Sequence, residues 1–152
     1  MLSKKAKYGL KALIVLAKEY GQGPVLISDI AQREDIPRKF LELILLELKN
    51  DGILQSRKGK GGGYFLGHSP SQISIGHAIR VMDGPLAPLP CVSKIAYMRC
   101  AECHDEQTCA VRMVMKEVRE ATTRILDSTT LADLLKRIEV AVSRGEAFNY
   151  SI

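Results

Sequence analysis

Residues 53–66 read Ile53-Leu54-Gln55-Ser56-Arg57-Lys58-Gly59-Lys60-Gly61-Gly62-Gly63-Tyr64-Phe65-Leu66: two short apolar stretches on either side of a glycine-rich, cationic segment. The flanks suit β-strands and the centre suits a hairpin tip. Arg57, Lys58 and Lys60 on such a tip can approach a phosphate backbone closely, because Gly61 and Gly62 remove side-chain bulk and tolerate positive φ. A nucleotide loop is a poorer reading of the same glycines. No Ser or Thr follows the Gly59-Lys60 pair, as a P-loop requires. The dinucleotide fingerprint fails too, because its third glycine falls on Tyr64 or on Leu66.

Upstream, the residues have helical spacing. Ala6, Leu10, Leu13, Ala17 and Tyr20 recur at steps of three and four, which predicts an amphipathic helix over 4–20 with Ser3 as its cap. Gly21, Gly23 and Pro24 end it. Ser28 is a good cap for a short second helix that turns Ile30 and Ala31 inward and stops near Glu34. Pro37 suits the first turn of a third helix, whose buried stripe is Leu41, Ile44, Leu45 and Leu48 and whose end is Asn50-Asp51-Gly52. Its opposite face begins with Arg38, Lys39 and Glu42. A short helix, a tight turn and a second helix with polar residues at its N-terminal end form the helix-turn-helix pattern, and the glycine-rich hairpin that follows is its wing.

Charge supports this arrangement. The chain of 152 residues has 22 Lys and Arg against 17 Asp and Glu, and residues 1–67 hold 12 of the cations against 7 of the anions. The net charge of +5 therefore lies entirely in the first half, as expected of a module that docks on a polyanion such as double-stranded DNA. The 46% hydrophobic content and the length suffice for a packed core without covalent staples. No apolar run reaches membrane-spanning length, and the first residues lack a signal-peptide pattern, so the expectation is a cytoplasmic protein with no membrane partner.

Downstream, Ser74–Asp83 predicts another short helix with Ile75, Ala78, Ile79 and Met82 inward, and 84–90, Gly-Pro-Leu-Ala-Pro-Leu-Pro, reads as a stiff connector. From Gln107, the residues Val111, Val114, Val118, Ala121 and Ile125 follow a heptad seam, which suits a helix packing on a second copy or on the core. A last helix is expected from Thr129 or Thr130 to Gly145, with Leu131, Leu134, Leu135, Ile138 and Val142 inward, followed by a loosely held tail to Ile152. His68 and His77 read as surface or packing residues.

All four cysteines fall between 91 and 109, as Cys91, Cys100, Cys103 and Cys109, with His104 beside them. Soft thiolates in this density suit an iron-sulfur cluster of the 2Fe-2S or 4Fe-4S type, or zinc. They also suit redox switching of the Cys100-Cys103 pair. Four unligated thiols fit this polar loop less well. A thiol oxidoreductase is not supported: no βαβ context surrounds the pair, and no acid–base constellation accompanies it. The chain is not read as an enzyme.

Taken with the hairpin and the cysteines, Ser3–Tyr8, Pro37–Glu42 and Gly61-Gly62-Gly63-Tyr64 make the chain similar to the iron-sulfur cluster regulator family of winged helix-turn-helix transcription factors (the IscR, NsrR, RirA and CymR type). The resemblance implies a DNA-binding homodimer held by the long helix. It places Lys39 and Glu42 on the base-reading face and Arg57 and Lys58 in the wing. Cys91, Cys103 and Cys109 would match three family ligands. The family's fourth ligand would fall on Arg112 or Lys7, which cannot serve, so Cys100 takes that place, with His104 behind it. The fold expected is mainly α: a winged helix-turn-helix domain over 1–83, a connector and cysteine-rich sensor loop over 84–106, and a dimerisation helix and C-terminal helix over 107–152. The DNA contact would involve Ser28, Arg38, Lys39, Glu42, Arg57, Lys58, Lys60, Gly61, Gly62 and Tyr64. The function expected is a transcriptional regulator, a repressor, controlled by a cysteine-held cluster or by thiol redox state. The alternative is a zinc-stapled interaction module, or one without metal, whose basic surface docks on an acidic protein.

Overall fold

The computed structural model describes residues 2–150, with side chains to residue 145. Six helices and one hairpin run in the order α1 (Lys4–Lys18), α2 (Ile27–Glu34), α3 (Arg38–Asp51), β1 (Leu54–Arg57), β2 (Gly63–Leu66), α4 (Ile75–Asp83), α5 (Ala110–Ser128) and α6 (Leu131–Tyr150), with single 3-10 turns at Pro70–Gln72 and Pro90–Val92. The fold is mainly α with a two-stranded antiparallel sheet, as the residues predict.

Local chemistry accounts for most of the boundaries. Ser3 caps α1 by accepting from the Ala6 N–H, and its own N–H donates to Asp83 at the far end of α4. Pro37 precedes α3, and Gly52 closes it in the left-handed region at φ 103°. Ser74 caps α4 by accepting from the His77 N–H. The core is one apolar body in which Leu13 and Leu16 of α1, Ile30 of α2, Leu41, Ile44, Leu45 and Leu48 of α3, Leu54 of β1 and Ala78 of α4 are buried. The stripe predicted for α3 is therefore the observed one. His77 hydrogen-bonds Asp51 across 2.9 Å.

Five expectations at element ends are corrected. Tyr20 lies beyond α1 and is exposed. Ser28 is not a cap: Leu26 holds that position without a side-chain bond, and Ser28 falls within the first turn of α2. The long helix starts at Ala110 rather than Gln107, because Cys109 takes the cap and accepts from the Arg112 N–H. Gly145 does not end α6, which continues to Tyr150, and Val142 is exposed. A single glycine costs a helix only about 1 kcal/mol, too little to stop it without a competing cap. The tail beyond residue 150 lies outside the described residues.

α6 belongs in part to the core of the N-terminal half. Leu131 is fully buried in this core, where α6 packs on α1 and on the 3-10 turn at Pro70–Gln72. Thr130 and Asp133 cap the helix reciprocally. The Ile75 N–H donates to Thr129 O and the Leu131 N–H to Ile73 O, which makes an antiparallel bridge of Ser74 with Thr130.

Candidate nucleic-acid interface and cysteine loop

The hairpin pairs Leu54 with Leu66, Gln55 with Phe65, Ser56 with Tyr64 and Arg57 with Gly63. A second pairing fixes it to the helix-turn-helix: the Val25 N–H donates to Tyr64 O and the Tyr64 N–H to Val25 O, both at 2.8 Å. The wing root is thus a third-strand contact with the segment that enters α2. Gly63 permits this pairing, and Gly62 permits the close turn of the hairpin itself. A Cβ at Gly63, where φ is +141°, would stand 2.3 Å from Val25 O, and one at Gly62 would stand 2.2 Å from Arg57 O. Their want of bulk serves backbone approach within the chain.

This pairing brings residues from three elements to one shallow groove, lined among others by Ser28 of α2, Arg38 and Lys49 of α3, and Arg57, Lys58 and Tyr64 of the wing. Of the ten residues expected at the DNA contact, these five (without Lys49) are brought together. Lys39 and Glu42 lie on the exposed outward side of α3, where Glu42 is held 3.4 Å from Arg38. Lys60, Gly61 and Gly62 form the hairpin tip. Arg57 also stacks over the Phe65 ring at 6.0 Å, an arrangement that steadies its long side chain while leaving the guanidinium available. Lys49 was missed because it sits in the last turn of α3, at the opposite end from Arg38, Lys39 and Glu42. The available signal was an exposed cation in the helical turn before the hairpin.

The cysteine loop is held by short-range contacts. The Met98 N–H donates to Pro90 O, the Cys103 N–H to Cys100 O in a tight turn, and Tyr97 Oη to Glu106. Cys91 is buried in the 3-10 turn, Cys100 is exposed, and all four cysteines are free thiols. Arg112 Nε donates to Cys91 O at 3.3 Å, so the start of α5 is clamped to the loop at both Cys109 and Cys91. Burial pushes the Cys103 thiol above its ordinary pKa, the neighbouring Cys109, Glu106 and Cys100 add to this, and Arg99 opposes it. Among the described residues no three Cys, His, Asp or Glu side chains converge where one metal ion could be held. The donor types suit iron or zinc, but the arrangement is not a cage. The His104 carbonyl accepts from Arg99.

A helix-turn-helix with a cationic hairpin docked beside its second helix defines a winged helix-turn-helix DNA-binding protein. Residues 2–137 match the Rrf2 family model, described as an iron-dependent transcriptional regulator, and the chain belongs to that family. It is 44% identical over 138 residues to an rrf2-like HTH-type transcriptional regulator of Rhodobacter capsulatus, covering 89% of this chain and 92% of that one. It is 37% identical over 133 residues to the HTH-type transcriptional regulator CymR of Bacillus subtilis, covering 88% of each. The structure of that CymR, described as the global cysteine regulator, superposes with a TM-score of 0.76 over 90% of this chain and 97% of that one. The structure of T. potens IscR, 31% identical, superposes with a TM-score of 0.74 over 93% and 90%. The chain is thus a DNA-binding transcriptional regulator of a non-enzymatic family. No described helix is long and apolar enough to cross a membrane.

Proposed function

We propose that the protein represses transcription as a cytoplasmic homodimer. In this reading two copies of α3 enter successive major grooves, the wings grip the flanking phosphates, and the state of the loop thiols sets the spacing of the two heads. The observation that carries the DNA contact is the shared groove of Ser28, Arg38, Arg57, Lys58 and Tyr64. Backbone pairing at Val25 fixes that wing to the segment entering α2, so the cations meet the duplex already positioned. The dimer is supported by the α5 seam, where Val111, Val114, Val118 and Ile125 are 44–62% exposed in the single chain. Apolar exposure at that spacing suits a symmetric helix pairing.

The thiols act on the same helix. Cys109 caps α5 and the Cys91 carbonyl holds Arg112, so any change at the loop is felt at the start of the dimer seam. The family description speaks for iron, and the absence of a converging donor set among the described residues speaks for thiol chemistry. We favour the second, with the Cys100 and Cys103 thiols closing to a disulfide as two protons and two electrons pass to an oxidant.

Three measurements test the reading. Lys58→Ala should weaken binding to every duplex and flatten the dependence of log affinity on log salt by about one unit; an unaltered slope refutes the wing contact. For the switch, diamide should change operator affinity of the wild type and leave Cys103→Ser unaffected. Iron and sulfide in stoichiometric amount after anaerobic purification, lost in Cys103→Ala, would replace thiol control with cluster control.

A further inference from the structure

We propose that Leu43 is a base-reading residue that selects a thymine in the operator half-site through its C5 methyl group. The inference rests on α3 entering the major groove. Leu41, Ile44, Leu45 and Leu48 bury one face of α3, and at 100° per residue the direction opposite them is shared by Lys39, Leu43, Leu46 and Asn50. All four are exposed, Leu43 at 62% and Leu46 at 46%.

A single exposed leucine needs no explanation on a monomer. Here the stripe lies on a face of α3 that the fold leaves uncovered, and the cations Arg38, Lys49, Arg57 and Lys58 flank it in the groove beside α3. A polyanion is thus the complementary occupant, rather than an apolar protein surface. Leu43 stands one turn past the start of α3, next to Glu42, at the depth where a recognition helix meets base edges.

The three side chains at that depth divide the available chemistry. Lys39 donates, which suits the O6 and N7 of guanine, and Glu42 accepts, which suits the N4 amino group of cytosine. Leu43 does neither. The thymine methyl is the only major-groove feature that rewards an apolar contact. Placed against a G·C edge, the same side chain would strip water from donors and acceptors without replacing their hydrogen bonds.

The test begins with selection of the preferred duplex from a randomised pool by the wild-type protein. Each thymine of the half-site is then replaced singly by uracil, which removes only the methyl group, and affinity is measured at fixed salt for wild type, Leu43→Ala and Leu46→Ala. One uracil replacement should weaken the wild type about three- to fivefold, the effect of one buried methyl. The same replacement should leave Leu43→Ala unaffected, while Leu46→Ala keeps the penalty. Alanine on an exposed helical site preserves the helix, and the uracil duplexes leave the protein untouched. Selective binding with no thymine whose penalty disappears in Leu43→Ala overturns this inference alone. Failure to select any sequence, or loss of salt-dependent duplex binding altogether, overturns the major-groove reading and this inference with it.

Discussion

Gly63 shows how much of the site rests on one missing methyl. Its backbone sits at φ +141° with Val25 O where a side chain would begin. Alanine there must open the pair of 2.8 Å hydrogen bonds between Val25 and Tyr64 or move the strand. Overpacking of this kind costs about 1–3 kcal/mol, so Gly63→Ala should lower Tm by roughly 3–10 °C. Because the wing root would loosen, it should weaken DNA binding as well. Circular dichroism melting and a gel-shift titration check both effects, and a variant that melts and binds like wild type would contradict the account. The run of glycines was legible as a wing. Its internal reason was not, since Val25 lies far upstream and no spacing rule connects it with Gly63. Leu43 was passed over for a different cause: the predicted stripe already left it outside the core, but the outward face was read only for its charged residues Arg38, Lys39 and Glu42.

Among the elements, α5 is held by hydrogen bonds near both its ends. At the start Cys109 and Arg112 tie it to the loop, and near its end Asp127 takes a bidentate pair of hydrogen bonds from Arg80 of α4, at 2.7 and 2.9 Å. The Arg80 hydrogen bonds hold the Asp127 carboxyl below its ordinary pKa, and its charge adds to them against the opposing effect of burial. A carboxyl with a depressed folded-state pKa contributes stability above the unfolded value of about 3.9, and that contribution is lost as pH falls through the folded value. Asp127→Asn should therefore cost at most about 1 kcal/mol at pH 7 for so exposed a pair. Its melting curve should converge with that of wild type in acid below the usual carboxylate range. Equal stability at pH 7 would show that the pair does not hold α4 to α5. Between the tied ends the seam is open, so Val114→Asp combined with Val118→Asp should halve the mass seen by analytical ultracentrifugation while leaving helical content intact. A dimer that survives this double change must use another surface. The heptad spacing was visible in the residues, but whether it faced the core or a second copy was not, because both faces demand the same period.

For the molecule as a whole, the order of helices followed from periodicity and capping, whereas the way the last helix returns to the first did not. Leu131 reads as one more apolar residue in a helical stripe, yet it is 0% exposed and sits in the core with α1 and α4. Leu131→Ala should cost about 2–5 kcal/mol. If the chain unfolds as one unit, the loss should appear equally in probes of the wing and of α5 during urea titration. A selective loss near α6 would mean that the halves melt separately. The cysteine loop was the least legible part. Clustered thiols announce chemistry, but which side chains meet depends on the turn at Cys100 and the clamp at Arg112.

The bridge between Ser74 and Thr130 has a bearing on how regulators of this build can be recombined. A DNA-reading head grafted onto a foreign sensor at residue 83 would leave behind the strand partner of its own residues 73–75 and the leucine that fills its core. The smallest exchangeable piece is discontinuous, residues 3–83 together with roughly 129–135. In such a fold a signal module is acquired by insertion between two parts of the head rather than by addition to its end.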